Sequence, residues 1–431
     1  MSLIQTARDI FLSTLRECTV ESAFARHVEY ARGVLRVRDD VYDLDRFGQV
    51  LTIALGKAAH SMARALRERI GERATGIIAA PHAPEHALPA FRYFIGGHPF
   101  PNTESLQAGA AILHTLEALT EHDLVLFLLS GGGSAVVESP IDDAFTLEDI
   151  VATYRALVHS GANIAEINAI RKHVSATKGG RMAQAAYPAQ QVSLMISDVP
   201  DSSLDALASG PTMPDSSTRS DCYAIAERYR LLDALPSPVR RFFESRQLEE
   251  TPKADDPAFV NARWWTLLSS AEAQKIAAEH ASQAGFAVEI DSTCDDWPYD
   301  KAADYLLARL GNVRAAASRA CIISGGEVTV QVSGSASGKG GRNQHLALYC
   351  AEKIAGENIV VLSAGTDGID GNSDSAGAIV DGTTLQRAGS EQVREALLTF
   401  DSNSLLREIG DTVETGPTGN NVRDLRILLA D

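Results

Sequence analysis

Short apolar runs alternate along the chain with stretches in which apolar residues recur every three or four positions. VLTIALG is followed by GKAAHSMARALRERIG, LVLFLLS by a long helical pattern, and QVSLMISDV by a polar loop. Apolar runs of that length, bounded by turn residues, predict buried strands, and the 3.6-residue spacing predicts the helices that cover them. Their alternation predicts βαβ units around a mainly parallel sheet. Ligands of such sheets bind beyond the carboxyl ends of the strands. Each of these runs ends in a loop rich in Gly, Ser or Asp, which is where chemistry is expected.

The polar segment RQLEETPKADDPAFVNARW, residues 246–264, carries two prolines and reads as a linker. A second series follows it: WWTLLSS, the helix AEAQKIAAEHASQAG, the strand AVEIDST, a helix to about Arg319, then CIISGGEVTVQVSG, the helix NQHLALYCAEKIAG, and IVVLSAGTDGIDG. The pattern predicts an α/β protein of two domains, residues 1–250 and 257–431, facing each other across a cleft. A chain of 431 residues fits two or three domains. The amino-terminal MSLIQTARDIFLSTLRECTVESAFARHV predicts an amphipathic helix without the features of a secretion signal. No run approaches the about 18 apolar residues of a membrane span, so a cytoplasmic protein that does not engage membranes is expected. A homodimer is the expected assembly.

Charge narrows the function. The formal net charge of −17 argues against nucleic acid as a partner, because a face that neutralises phosphodiesters collects Lys and Arg. An acidic surface also repels small anions at long range, so a site for one must gather its own cations. Every cation near a glycine loop therefore counts. The five cysteines are scattered without a CxxC pair, and are expected as small buried hydrophobes rather than disulfides or metal ligands.

The loop SGGGSA after LVLFLLS has the close backbone approach that glycine permits, with a helix expected from about Ser134. A dinucleotide fingerprint starting at Gly131 would need a small residue where Val136 stands, and a hydrolase elbow starting at Gly132 would need Gly there. Gly131, Gly132, Gly133 and Ser134 thus read as a cradle for phosphate or carboxylate. Lys57 follows a buried strand at the first turn of a helix, placed to meet the ligand of a neighbouring strand end. In LMISDVPDSSLDALASGPTMPD, a carboxylate at a strand tip can take a proton from a hydroxyl or hold Mg²⁺. Residue types alone do not choose among Asp198, Asp201 and Asp205.

The second half offers SGSASGKGGRNQHLAL. It misses a Walker loop, because the first glycine is one place too close to Gly338-Lys339 and Gly340 replaces the required Ser or Thr. What remains is a glycine loop that delivers Arg342 to a helix start, and Arg suits two-pronged capture of carboxylate or phosphate. Further on, Asp367 and Asp370 stand just past a strand. The D-x-N-x-D spacing from Asp370 matches part of a calcium loop, but Ser375 occupies its obligatory glycine position. TGPTGNNVRDL, with Asn420, is a last glycine and amide loop. Two cations, a base, glycine cradles and spare carboxylates are the parts that phosphoryl transfer uses, since that reaction is catalysed by positioning and charge stabilisation.

Taken together, ALGKAA, GGHPFPN with His98, LSGGGSA, INAIRKHVSATKGGRMA, SDV with ASGPT, GGE with GKGGRNQ, SAGTDGIDGNSDSAGA and GPTGNNVRDL resemble the class II glycerate kinases, the glycerate 2-kinase family whose carboxyl-terminal part is named MOFRL. The resemblance implies a Rossmann-like amino-terminal domain, a smaller MOFRL-type α/β domain and a site between them. It implies transfer of phosphate from ATP, with Mg²⁺, to the 2-hydroxyl of D-glycerate. On the matching positions Lys57 and Arg342 would stabilise the transferred group and Asp198 would act as base. Gly131 to Ser134 and Lys172, His173, Ser175 and Lys178 would line the ligand cleft, and Asp367, Asp370 and Asn420 would lie in the nucleotide or metal region. No set of metal-holding residues is implied.

Three departures stand out. Asp201-Ser202-Ser203 replaces the usual Gly-Asp-Asp, His345 stands where the family has Glu, and the loop SGSASGK is slightly long. Two other classes compete with the kinase. A hydroxypyruvate reductase would need a nicotinamide fingerprint, which no strand is followed by, and a hydroxy-acid sensor would lack the catalytic side chains. Lys57→Ala and Arg342→Ala are expected to remove most activity while sparing the fold.

Overall fold

The run LVLFLLS becomes a strand buried at every position, Leu124–Ser130, as expected for a strand covered on both faces. The computed structural model describes residues 2–332 and 338–431. Labelled in chain order, β1 (Val28–Ala31), β2 (Val34–Val37) and β3 (Asp40–Asp43) form a small antiparallel sheet. Next come β4 (Val50–Leu55), β5 (Thr75–Ala80), β6 (Phe91–Ile95), β7 (Leu124–Ser130), β8 (Gln190–Ile196) and β9 (Ala262–Leu268). They form a six-stranded sheet in the order β6-β5-β4-β7-β8-β9, with β6–β5, β5–β4, β4–β7 and β7–β8 all parallel. Ile53, Leu55, Phe127, Leu129 and Met195 of this sheet pack against Ala108, Ile112, Leu116, Met182 and Ala186 of the helices Thr103–Leu116 and Arg181–Ala186.

The order of the strands matters more than their number. The chain steps from β4 outward through β5 to β6, then returns so that β7 and β8 build on the other side of β4. The winding reverses between β4 and β7, and a reversal leaves a crevice at the carboxyl ends of those two strands.

The second sheet is mixed. It comprises β10 (Ala287–Ile290), β11 (Ala320–Gly325), β12 (Ile359–Gly365), β13 (Gly377–Asp381), β14 (Thr412–Val413) and β15 (Asp424–Ala430) in the order β10-β11-β15-β12-β13-β14. Only β10–β11 is parallel; β15 runs antiparallel to both of its neighbours. It is buried at every position.

The chain divides into two units, Val20–Leu267 and a second made of the residues up to Thr19 with Leu268–Asp431. These limits differ from the expected 1–250 and 257–431 at both ends. The amphipathic helix Leu3–Glu17 buries Ala7, Ile10, Phe11 and Leu15 against Ile323, Leu362, Ile427 and Leu429 of the second sheet. The expected linker is no spacer: Thr251 is buried, Pro252 accepts a backbone hydrogen bond from Asp215 (3.0 Å), and Asn261 accepts one from Gln191 (2.9 Å). WWTLL, expected to open the second series, is the edge strand β9 of the first sheet. The five cysteines are free and buried, and among the described residues no helix is long and apolar enough to cross a membrane.

Candidate active site

The crevice between β4 and β7 is where two of the expected loops meet. Ser130, the last residue of β7, donates its hydroxyl to the Leu55 carbonyl (3.1 Å) and accepts the Ala58 amide (3.0 Å). The Lys57 amide reaches the Gly131 carbonyl (2.9 Å). Gly56, at φ 106°, has Ser130 so close that a Cβ would stand 2.4 Å from its carbonyl oxygen. This approach needs a glycine. The turn after β4 and the turn after β7 are thus one rigid piece of backbone.

Asp198, two residues beyond β8, lies against this turn: a Cβ on Gly131 would stand 1.9 Å from Asp198 Oδ2. The next glycine has other neighbours. A Cβ on Gly132 would meet Lys57 Cγ at 3.2 Å and Cε at 3.4 Å, and His98 Cδ2 at 3.3 Å. Lys57, His98 and Asp198 therefore converge on two consecutive glycines. The helix that follows is a single turn, Gly133–Val136, so the turn itself rather than a long helix dipole faces a ligand. The 201–210 loop closes over it: Ser134 and Ser209 share a hydroxyl hydrogen bond (2.8 Å), and Ala208 and Ser209 both sit at positive φ. Two successive side-chain-bearing residues in that region are costly and point to a constrained loop.

The Lys57 ammonium has no hydrogen-bond or ion-pair partner among the described residues, and the residue is exposed. Lys172 and Lys178 differ sharply. Both were expected to line the ligand cleft, and both are buried. Lys172 donates to Asp205 (2.9 Å) and Asp215 (3.0 Å). Burial would raise the Asp215 carboxyl, but Lys172 and the Ser217 and Thr251 hydroxyls hold it below the usual range. Lys178 donates to Glu138 (2.6 Å) and to the Val137 carbonyl (3.3 Å).

Ser175 donates to the other oxygen of Glu138, and Tyr154 also donates to this carboxylate. Burial, then Glu138, pushes the Tyr154 phenol far up. His173 is fully buried; its Nδ1 donates to the Ala169 carbonyl (2.8 Å) and burial lowers its pKa. Lys172, Ser175 and Lys178 thus spend their polar groups on internal partners, as an ion taken out of water must, whereas the buried His173 Nε2 has no hydrogen-bond partner among the described residues. Glu138, with no accessible surface, is the residue that sequence reasoning missed. Its signal was an isolated acid four residues past the glycine turn in an otherwise apolar stretch.

In the second unit Arg342 opens the helix Arg342–Lys353. Its Nε and Nη2 hold the two oxygens of Asp424 (2.6 and 3.1 Å), and Nη2 also reaches Glu327 (2.8 Å). Burial raises the Glu327 carboxyl despite Arg342. Asp370 is a helix cap: it accepts the Asn343 and Gln344 amides (3.1 and 2.9 Å) and both of their side-chain amides. Burial pushes it up to about 6. The glycine before Arg342 makes room for it, since a Cβ on Gly341 would stand 2.2 Å from Asp370 Cγ. Both oxygens of Asp370 are thus engaged within the fold.

Asp367 is half-buried and caps its own turn through the Ile369 amide (3.1 Å), and its carbonyl accepts the Thr418 amide (3.0 Å) from the loop that carries Asn420. His345 is buried between Tyr299 and Phe400, with ring centroids at 4.6 and 5.2 Å, and burial lowers it to about 4. It fills an aromatic pocket rather than shaping an acceptor. The long loop SGSASGK falls largely on residues 333–337, outside the described residues. Of the Asp201-Ser202-Ser203 departure, the backbone opens a short 3-10 segment, Asp201–Ser209.

A parallel sheet with a free lysine, a glycine turn and a carboxylate at its winding reversal, joined to a mixed α/β unit with an arginine at a helix start, has the parts of a small-molecule phosphotransferase. The family comparisons narrow this. Residues 6–244 match the domain of unknown function DUF4147, and residues 320–424 match the MOFRL family. The chain belongs to this DUF4147–MOFRL family, the glycerate kinases.

The D-glycerate 2-kinase of Thermotoga maritima is 39% identical over 89% of this chain and 91% of its own. The crystal structure of a glycerate kinase from Thermotoga maritima superposes with a TM-score of 0.85 at 34% identity, covering 100% of this chain and 99% of the other. A relative from Agrobacterium vitis, provisionally named a hydroxypyruvate reductase, is 37% identical over 89% of this chain and 87% of its own.

Proposed function

We propose that the protein is a D-glycerate 2-kinase, transferring the γ-phosphoryl group of ATP to the 2-hydroxyl of D-glycerate to give 2-phosphoglycerate and ADP. One observation carries this reading: the unpaired Lys57 ammonium and the Asp198 carboxylate flank adjacent glycines at the winding reversal of the sheet. The glycines keep side chains out of the space an anion needs. As the 2-hydroxyl oxygen bonds to the γ-phosphorus and the bond to the ADP oxygen breaks, Asp198 takes the hydroxyl proton. Lys57 and Arg342 offset the charge on the equatorial oxygens, each contributing on the order of 10²–10⁴ in rate. Gly131 to Ser134 supply close backbone contact to the anion.

For Arg342 to take part it must exchange Glu327 for a phosphoryl oxygen while Asp424 keeps its side chain in place. Asp367 and Asn420 are assigned to the nucleotide side. Among the described residues no three His, Cys, Asp or Glu gather as a metal cage. This fits a Mg²⁺ that enters with the nucleotide, since that ion is held mostly by phosphates and water with one or two carboxylates. Mg-ATP is accordingly the nucleotide substrate. Five free, buried thiols fit a reducing cytoplasmic compartment.

The reductase label finds no support in the loops, because neither the turn after β4 (GKAAH) nor that after β7 (GGGSAV) carries the three spaced glycines of a dinucleotide site. The test is ³¹P NMR of the product formed from D-glycerate and Mg-ATP. A 2-phosphate is expected. A 3-phosphate would overturn the regiochemistry, and consumption of NADH with hydroxypyruvate but no ADP release from any hydroxy acid would overturn the kinase.

A further inference from the structure

We propose that His98 is a further catalytic residue, one whose imidazole donates a hydrogen bond to the anionic group that Lys57 contacts at Gly132. The inference rests on the kinase reading above and deepens it.

The loop GGHPFPN is brought to the glycine turn by construction. A Cβ on Gly96 would stand 2.2 Å from the Val136 carbonyl oxygen and 2.5 Å from its Cα, so this loop lies backbone to backbone on the turn of helix that follows Gly132. The Gly96 amide is tied to the Ala80 carbonyl at the end of β5 (3.1 Å) and the Gly97 amide to the Ser105 hydroxyl (3.0 Å). Ser105 in turn belongs to a capping box with Asn102, which starts the helix Thr103–Leu116. His98 is thus held from both sides of its loop. Its ring comes to the same glycine as the Lys57 stem. Like the Lys57 ammonium, its ring nitrogens have no hydrogen-bond partner among the described residues. Side chains with unspent donors, brought to one glycine by hydrogen-bonded backbone, can meet a developing charge there.

The charged and titratable groups that act on His98 are Lys57 on the turn after β4 and His82 on the loop after β5; Asp198 lies against the neighbouring Gly131. Burial, then Lys57 and His82, lowers the His98 pKa below the usual histidine value, so near neutral pH the ring is uncharged. It can sit beside an ammonium without repelling it and still offer one N–H.

The test compares wild type, His98→Ala and His98→Gln by ADP release, varying D-glycerate and Mg-ATP separately, with a thermal melt of each protein. A contact that strengthens as charge builds on the phosphoryl group lowers kcat more than it changes KM. The expected result for His98→Ala is a kcat about tenfold to hundredfold lower, KM for both substrates within about threefold, and an unchanged melt, as for one lost hydrogen bond to a charged group. His98→Gln, which keeps an N–H at similar reach, is expected to recover most of the loss. An active wild type with an equally active His98→Ala would overturn the role of His98 alone. A wild type that releases no ADP with D-glycerate would overturn the kinase reading and this inference with it.

Discussion

Gly131 and Asp198 touch so closely that the carboxylate occupies the place where any side chain at 131 would begin, 1.9 Å from Oδ2. What stands in the way is the far end of a side chain, which can swing aside. Gly131 also has no positive φ to forbid alanine. The cost of Gly131→Ala therefore falls on function: a loss of about 100-fold or more in kcat, with little change in melting temperature. Gly96→Ala is the contrast, since its Cβ would meet the Val136 backbone. Overpacking there is expected to destabilise by about 1–3 kcal/mol. Urea unfolding of both variants beside their kcat values separates the two outcomes; a fully active Gly131→Ala would remove Asp198 from the mechanism.

Lys57 and Arg342 should respond differently to alanine. Lys57 is exposed and unpaired, so Lys57→Ala is expected to lose on the order of 10²–10⁴ in rate at unchanged stability. Arg342→Ala strips Asp424, whose side chain is only 3% exposed, of both prongs of its partner. It is expected to lose activity and also of order 2 kcal/mol of stability, against the sequence expectation that both substitutions spare the fold. Arg342→Lys keeps the charge without the fork, and should recover stability in part. Calorimetry on the three proteins decides; an unshifted Arg342→Ala would mean that Asp424 finds another partner.

Glu138 and Lys178 form a buried pair with side chains 0% and 2% exposed. Lys178→Met leaves the Glu138 charge with the Tyr154 and Ser175 hydroxyls and the Ser139 amide and is expected to cost about 3–5 kcal/mol. Lys178→Met combined with Glu138→Gln removes the charge as well, and should recover at least half of that. Chemical denaturation of single and double variants measures the coupling. Additive losses would show that the pair does not act as a unit.

His345 gives stability a pH dependence. Its folded value, lowered to about 4 by burial, lies below the ordinary 6.5 or so of an unfolded chain. The neutral ring therefore favours the fold: its contribution is complete above about pH 6.5 and declines as pH falls towards 4, by about 1.4 kcal/mol per unit. His345→Phe, which suits the aromatic pocket, should flatten this acid limb relative to wild type in melts between pH 7 and 4. Parallel curves for the two proteins would refute the assignment.

The sequence made the first sheet legible because its strands are covered on both faces and read as unbroken apolar runs. It placed the Lys57 and Gly131 turns at strand ends correctly for the same reason. β9 was misplaced because WWTLL is an edge strand, and no local pattern says which sheet an edge joins. Lys172 and Lys178 look in sequence like Lys57, a cation near glycines. Only the fold reveals that Asp205, Asp215 and Glu138 already hold them, since those partners lie 33 to 43 residues away. The capping contacts of Asp370 were not legible because a helix cap that arrives from a loop 26 and 27 residues downstream leaves no trace beside the helix start.

The helix Leu3–Glu17 rests on Ile427 and Leu429, near the opposite end of the polypeptide. During synthesis it emerges well before β15, so its apolar stripe stays without its seat until that strand has been made. The Val20–Leu267 unit holds all of its own strands and can fold in the interval. A nascent chain must therefore carry an uncovered apolar helix face until the last strand of the second sheet emerges.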